Sequence, residues 1–164
     1  MRPQYGSGQF VNISMAHIMV TGDAMLIADS SGDGANVDCI FCKPDDPSLN
    51  TTLCENELFY ARFDNYPANP GHVEVVPKRH VESFFELDER EMLSAYALMR
   101  EAKNLIDDKH FPEAYTIGIN DGKAAGRTID HLHIHLIPRH QGDVDDPRGG
   151  IRRAAPNCDP DAWT

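Results

Sequence analysis

The sequence predicts an α+β fold, an antiparallel β-sheet meander with one long helix packed on it. Three observations predict it. Short apolar or alternating runs, each closed by turn residues, recur between residues 58 and 137. One long stretch of helical period interrupts them. No internal repeat is visible, so strands in chain order with one inserted helix favour an antiparallel sheet.

The first 36 residues differ from the rest. Gly6-Ser7-Gly8 and Ser30-Ser31-Gly32-Asp33-Gly34 are linker-like. Between them the short apolar runs His17–Val20 and Met25–Ala28 suit a pair of strands or a partner surface. Residues 1–36 are read as a flexible leader or a cloning remnant, residues 37–153 as the organised domain, and residues 154–164 as a tail.

Within the domain, Cys39-Ile40-Phe41-Cys42 forms a knuckle, and Lys43 to Thr52 reads as a polar loop. Leu58–Phe63 is a strand. Asp64 to Gly71 is dense in turn residues and reverses the chain. His72–Val76 returns as an antiparallel strand stopped by Pro77. Asp88 with Glu91 three residues on is a capping-box signal. The helix it starts runs to about Asp108, with Met92, Ala95, Met99, Ala102 and Ile106 as its core stripe, widened by Leu98 and Leu105. Ala114–Ile119 is a third strand. Turns at Asn120-Asp121-Gly122 and Ala124-Ala125-Gly126 lead into His131–Ile137, which Pro138 ends. Beyond Arg139 the chain reads as irregular.

The bulk numbers bound the function. A formal net charge of −11 argues against nucleic-acid backbones or anionic membranes as partners. No run reaches a membrane span, and the N-terminus has no signal-peptide pattern. Four cysteines, two of them in Cys39-x-x-Cys42, point to a metal site in a reducing compartment, with the cytoplasm as the default.

The chemistry concentrates in His131-Leu132-His133-Ile134-His135. Side-chain period 2 on a strand puts the three imidazoles on one face. A histidine-rich exposed strand is the plain alternative. Zinc takes four thiolate and imidazole ligands tetrahedrally. Cys39 and Cys42 supply two, and His80, after the second strand, and His131 are candidates for the others. A Cys-x-x-Cys is also consistent with a redox pair, but the βαβ context of such a site is missing. Such a closed zinc site is structural. His133 is then free as a nucleophile toward phosphorus if an acceptor holds its second nitrogen. His135 is placed to meet the leaving group or phosphate oxygens. Gly126 permits close backbone approach, Thr128 offers a hydroxyl and an amide, and Arg127 a guanidinium for phosphate. His72 reads as structural.

These residues resemble the histidine-triad (HIT) superfamily. His131 to Ile137 satisfies its His-φ-His-φ-His-φ-φ signature, φ being apolar. Phe63 to Pro67, Pro70-Gly71-His72, Val76 to His80, Ile119 to Gly122 and Ala125 to Thr128 are similar to its other segments. Leu136 to Arg139, with Gly142-Asp143 and Asp146 to Gly150, resembles the prokaryotic branch related to diadenosine polyphosphate hydrolases. The resemblance implies a HIT-like fold and a homodimer with joined sheets. It also implies a nucleotide substrate with a purine base, cleaved at the α-phosphate through a nucleotidyl-histidine on His133. Asp64 and Asn65 would bind the ribose, Asn120 would lie near the reacting phosphate, and Phe41 would line the base pocket. Zinc-bearing members imply the same ligand set, Cys39, Cys42, His80 and His131. Many members carry glutamine where Arg127 stands, and a phosphorylase or transferase would share every other residue. A non-catalytic nucleotide-binding module and a purely metal-binding protein are the alternatives from other classes.

Overall fold

The computed structural model describes residues 38–159 and 161. The leader assigned to residues 1–36 lies outside them.

Five antiparallel strands form one sheet, β1 (Thr52–Glu55), β2 (Phe59–Phe63), β3 (Val73–Pro77), β4 (Ala114–Gly118) and β5 (Ile134–Arg139), in the order β1-β2-β3-β5-β4. The single long helix α1 (Glu89–His110) crosses one face. Asp88 caps it. Its carboxylate accepts from the Glu91 amide at 2.8 Å, and the Glu91 carboxylate accepts from the Asp88 amide at 2.9 Å.

Strand alternation divides the sheet chemically. Phe59 and Ala61 of β2, Val73 and Val75 of β3, and Ile134 and Leu136 of β5 meet Ala95, Leu98, Ala102 and Ile106 of α1 in the main core. Alternating with them, Tyr60 and Val76 face the Cys39–Cys42 knuckle in a second, smaller core with Phe41. The remaining members of that opposite row are polar, and they build the site.

Several expectations are corrected. Residues 52–55 form β1, a short edge strand, beginning at Thr52, the last residue of the expected loop, and running through residues given no element. Their Thr-Leu-Cys-Glu sequence carries little strand signal, and pairing with β2 decides the matter. Met92 and Leu105 are exposed. The buried stripe runs Glu91, Ala95, Leu98, Ala102, Ile106, and Glu91 is buried because its carboxylate serves both the cap and Arg79. The pairing of β5 begins only at Ile134, so His131 and His133 lie ahead of the ladder. Their segment bonds elsewhere, the His131 amide to Ile129 at 2.8 Å and the Leu132 amide to Val81 at 2.6 Å. Pro138 sits inside β5 and does not end it. Its carbonyl accepts from Asn69 Nδ2 at 2.9 Å, on the side where β3 has already ended. In antiparallel pairing a residue's nitrogen and carbonyl face the same side, so the missing N–H leaves no ladder bond unmade. Finally, the chain beyond Arg139 is not wholly irregular. A 3₁₀ turn, Gly150–Ala154, returns to contact β4.

Among the described residues no helix is long and apolar enough to cross a membrane.

Candidate active site and metal centre

The knuckle is fixed before any ligand is considered. Ile40–Cys42 is one 3₁₀ turn. Buried Asn50 donates to the Ile40 carbonyl at 2.9 Å and the Lys43 carbonyl at 2.8 Å, and the Tyr60 hydroxyl donates to the Phe41 carbonyl at 2.8 Å. His80 follows β3, and His131 precedes β5. These elements bring Cys39, Cys42, His80 and His131 together, with ligand atoms all within 4.8 Å of one another. Cys39 Sγ lies 3.4 Å from His131 Nδ1, and Cys42 Sγ lies 3.3 Å from His80 Nδ1 and 3.6 Å from His131 Nδ1. A tetrahedron with metal–sulfur bonds of ~2.3 Å and metal–nitrogen bonds of ~2.05 Å has sulfur–nitrogen edges of about 3.6 Å. The four residues therefore fit one tetrahedral metal ion. The Nε2 of His131 is 2.9 Å from the Pro77 carbonyl. With the proton held there, Nδ1 presents its lone pair to the cluster.

His133 is turned the other way. Its Nδ1 lies 2.8 Å from the His131 carbonyl oxygen. A carbonyl only accepts, so Nδ1 carries the proton and Nε2 the free lone pair. Burial, opposed by that bond, pushes His133 below the usual imidazole range and favours the neutral ring. Phe41, fully buried, packs edge-on against both His131 and His133, with centroids at 5.8 and 5.2 Å.

A cavity of about 320 Å³ opens over His133 and His135. Asp64, Asn65, Asn120, Gly126 and Thr128 line it. Phe41 stands behind this wall, which Ile40 reaches instead. Arg127 also lies off the wall. Its guanidinium is held by the Glu82 carboxylate and carbonyl, each at 2.8 Å, and by Asp130 at 3.1 Å. That pairing engages both Nη atoms and fastens the Gly126–Thr128 turn to the segment after β3.

Three polar residues of the site escaped sequence reasoning. Arg62 and Glu74 are register partners across β2 and β3, and Glu74 and His135 across β3 and β5. The three form one row on the face opposite α1. Arg62 Nη1 donates to Glu74 at 2.5 Å, while Glu74 Oε1 lies 4.0 Å from His135 Nδ1. Burial, reinforced by Asp64, pushes Glu74 up to about 7 against the pull of Arg62. The third is His72, whose Nε2 lies 3.0 Å from His135 Nδ1 and whose Nδ1 lies 3.3 Å from Asp64. Burial, with His133 and His72 nearby, pushes His135 down to about 4. The signal was available for Glu74 and Arg62. Each is the polar member of an alternating strand, and in-register pairing of those strands lines them up with His135.

A histidine pair lining a cavity, beside a Cys-His cluster on a helix-backed sheet, is the arrangement of a histidine-triad protein. The HIT domain family matches residues 48–142, and the chain belongs to that family. It is 35% identical over 94 residues to an AP-4-A phosphorylase of Mycobacterium tuberculosis, covering 57% of this chain and 48% of that protein. It is 35% identical over 89 residues to a bis(5′-adenosyl)-triphosphatase of Dictyostelium discoideum, covering 54% of this chain and 60% of that one. The chain thus spans about half of these curated relatives. Among solved structures it is similar to a zinc-bound histidine-triad protein of Mycobacterium smegmatis, 28% identical with a TM-score of 0.58, covering 71% of this chain and 90% of that one.

Proposed function

We propose that the protein is a nucleotidyl hydrolase or transferase. It cleaves a nucleoside phosphoanhydride or phosphoramidate, such as a dinucleoside polyphosphate, at the α-phosphate through a covalent nucleotidyl-histidine on His133. The observation that carries this reading is the 2.8 Å contact between His133 Nδ1 and the His131 carbonyl. It leaves Nε2 unprotonated and directs it as the nucleophile.

In the first step the Nε2 lone pair forms the N–P bond. The P–O or P–N bond to the leaving group breaks, and its electron pair departs with that group. In the second step water attacks phosphorus, the N–P pair returns to Nε2, and the water proton goes to solvent. Asp64 and Asn65 hold the ribose. Asn120 and the Gly126–Thr128 turn face the phosphate, whose developing charge their donors offset. His135, backed by His72, faces the leaving group. Two relatives named for diadenosine polyphosphate chemistry support this class. The phosphorylase name supports a second reading, in which inorganic phosphate replaces water as acceptor. Adding phosphate to a reaction with diadenosine tetraphosphate separates the two: a phosphorylase makes ADP, a hydrolase does not.

The tetrahedral cluster is proposed to hold zinc, consistent with the thiolate–imidazole donor set and the zinc-bound relative. When bound there, zinc crosslinks the knuckle to His80 and His131 and, with four protein ligands, keeps no open position. Cys39, Cys42 and His80 would fix His131, whose carbonyl fixes His133. The terminal position of β4 in the sheet offers one open edge, through which we expect a homodimer to join its sheets.

A further inference from the structure

Apart from its histidines, the cavity over His133 has one aromatic side chain on its wall among the described residues, and it is Tyr66. Phe41, the aromatic of the knuckle, is engaged elsewhere. It is fully buried, its edge meets His131 and His133, and the Arg62 guanidinium lies over its ring, 5.2 Å from the centroid. The other apolar side chains on the wall are aliphatic, Ile40 and Ile129.

Tyr66 is the opposite of Phe41. It is 92% exposed, the highest value among the exposed large hydrophobic residues described, although it lines a cavity. Its backbone is held all the same. The Tyr66 amide donates to Asp64 Oδ1 at 2.7 Å, which closes a turn on the Asp64 carboxylate. Asn65, between them, is tied at both ends of its amide. Its Oδ1 accepts from Arg62 Nη2 at 2.8 Å, and its Nδ2 donates to the Leu49 carbonyl at 3.2 Å. Pro67 narrows the backbone of Tyr66 from the other side. A fixed backbone thus carries an exposed ring that turns rapidly about its side-chain bonds at the cavity rim.

A single exposed aromatic is ordinary on a protein surface. This one is set apart by its anchor. The carboxylate that fixes the Tyr66 amide is the one placed on the ribose in the function proposed above, and the base hangs from that same ribose. A base is a flat ring system with two faces. Ile40 and Ile129 offer aliphatic contact to a base, and Tyr66 alone on this wall offers a neutral aromatic face for stacking.

We propose that Tyr66 stacks on the base of the nucleotide bound over His133, closing on it as a clamp whose hinge is the Asp64 turn. This rests on the reading of the cavity as a nucleotide site, and it adds a residue that sets affinity through the base and takes no part in the chemistry at phosphorus.

The test is equilibrium binding to the full chain, by calorimetry, of adenosine 5′-monophosphate and of ribose 5-phosphate, which lacks the base. Tyr66→Ala is expected to weaken the nucleotide about tenfold and to change ribose 5-phosphate by less than twofold. Tyr66→Phe keeps the ring and should hold the nucleotide within threefold of wild type. A loss of more than threefold in Tyr66→Ala, confined to the nucleotide and restored by phenylalanine, upholds the clamp. A smaller loss, an equal loss of both ligands, or a Tyr66→Phe protein as weak as Tyr66→Ala overturns it. The reading of His133 fails separately. A wild type that binds the nucleotide but forms no adenylyl adduct loses the nucleophile and keeps the clamp, whereas a wild type that binds no nucleotide loses both.

Discussion

The carbonyl oxygen of His131 lies 2.8 Å from Nδ1 of His133, while His131 sends its own Nδ1 toward Cys39 and Cys42. One residue thus faces two ways, side chain to the two cysteines and backbone to the His133 imidazole. The proposed metal site and the proposed nucleophile are one continuous piece of chain, and the predictions below follow from that coupling.

Metal content comes first. Purified protein is expected to carry about one zinc per chain, because the closed cluster uses four ligands and only one triad histidine. Cys39→Ala should lose the metal and several kcal/mol of folding free energy, on the order of what structural zinc contributes. Metal analysis with thermal melting checks this. A Cys39→Ala protein that stayed zinc-loaded and fully stable would show the ligand set to be misassigned.

Glu74 and Arg62 are 5% and 2% exposed and paired at 2.5 Å. Removing one partner strands a buried charge. Glu74→Ala is expected to cost about 3–5 kcal/mol in denaturant unfolding. A loss below about 1 kcal/mol would mean that Arg62 finds other compensation.

Stability should depend on pH through the same row. His135, facing His72, Glu74, His133 and Asp64, is pushed down to about 4 from the ordinary 6.5. The folded state therefore resists its protonation. Its contribution is complete above pH 6.5 and is lost as pH falls toward 4, by up to about 3 kcal/mol. Glu74 acts in the opposite sense. Raised from 4.5 to about 7, it contributes fully below pH 4.5, and that contribution is lost as pH rises through 7. Unfolding free energies of His135→Asn should flatten between pH 6.5 and 4 relative to wild type, and those of Glu74→Gln between pH 4.5 and 7. Parallel curves for variant and wild type would contradict these shifts.

The helix offers a check on the fold alone. Leu98 is 1% exposed in the main core, and Asp88 caps α1. Leu98→Ala should cost about 2–5 kcal/mol and Asp88→Ala about 1 kcal/mol. Met92→Ala, on the exposed side, should cost under about 1 kcal/mol. Equal losses for Met92 and Leu98 would put the stripe on the wrong face.

Much of this was legible in the sequence. Helix α1 announced itself through its cap and period, and β2 to β5 through apolar runs between turns. The four cluster residues were legible from Cys-x-x-Cys spacing and two histidines at strand ends. What was not legible depends on pairing. The edge strand β1 exists because β2 accepts it. Pro138 survives in β5 because β3 stops short. The ion pairs of Arg127 with Glu82 and Asp130 are not visible in the local sequence either. His72 reads as a strand residue until the turn at Asp64 to Gly71 returns it to His135. Each is a long-range relation, set by register and loop path rather than by local composition.

The central claim is the nucleophilic role of His133, and intact-protein mass spectrometry tests it most directly. Wild type, mixed with diadenosine tetraphosphate and quenched rapidly, is expected to gain the mass of one adenylyl group. His133→Ala should gain none and should show no turnover, with zinc content and fold unchanged. An undiminished adduct or unchanged activity in His133→Ala would contradict the account.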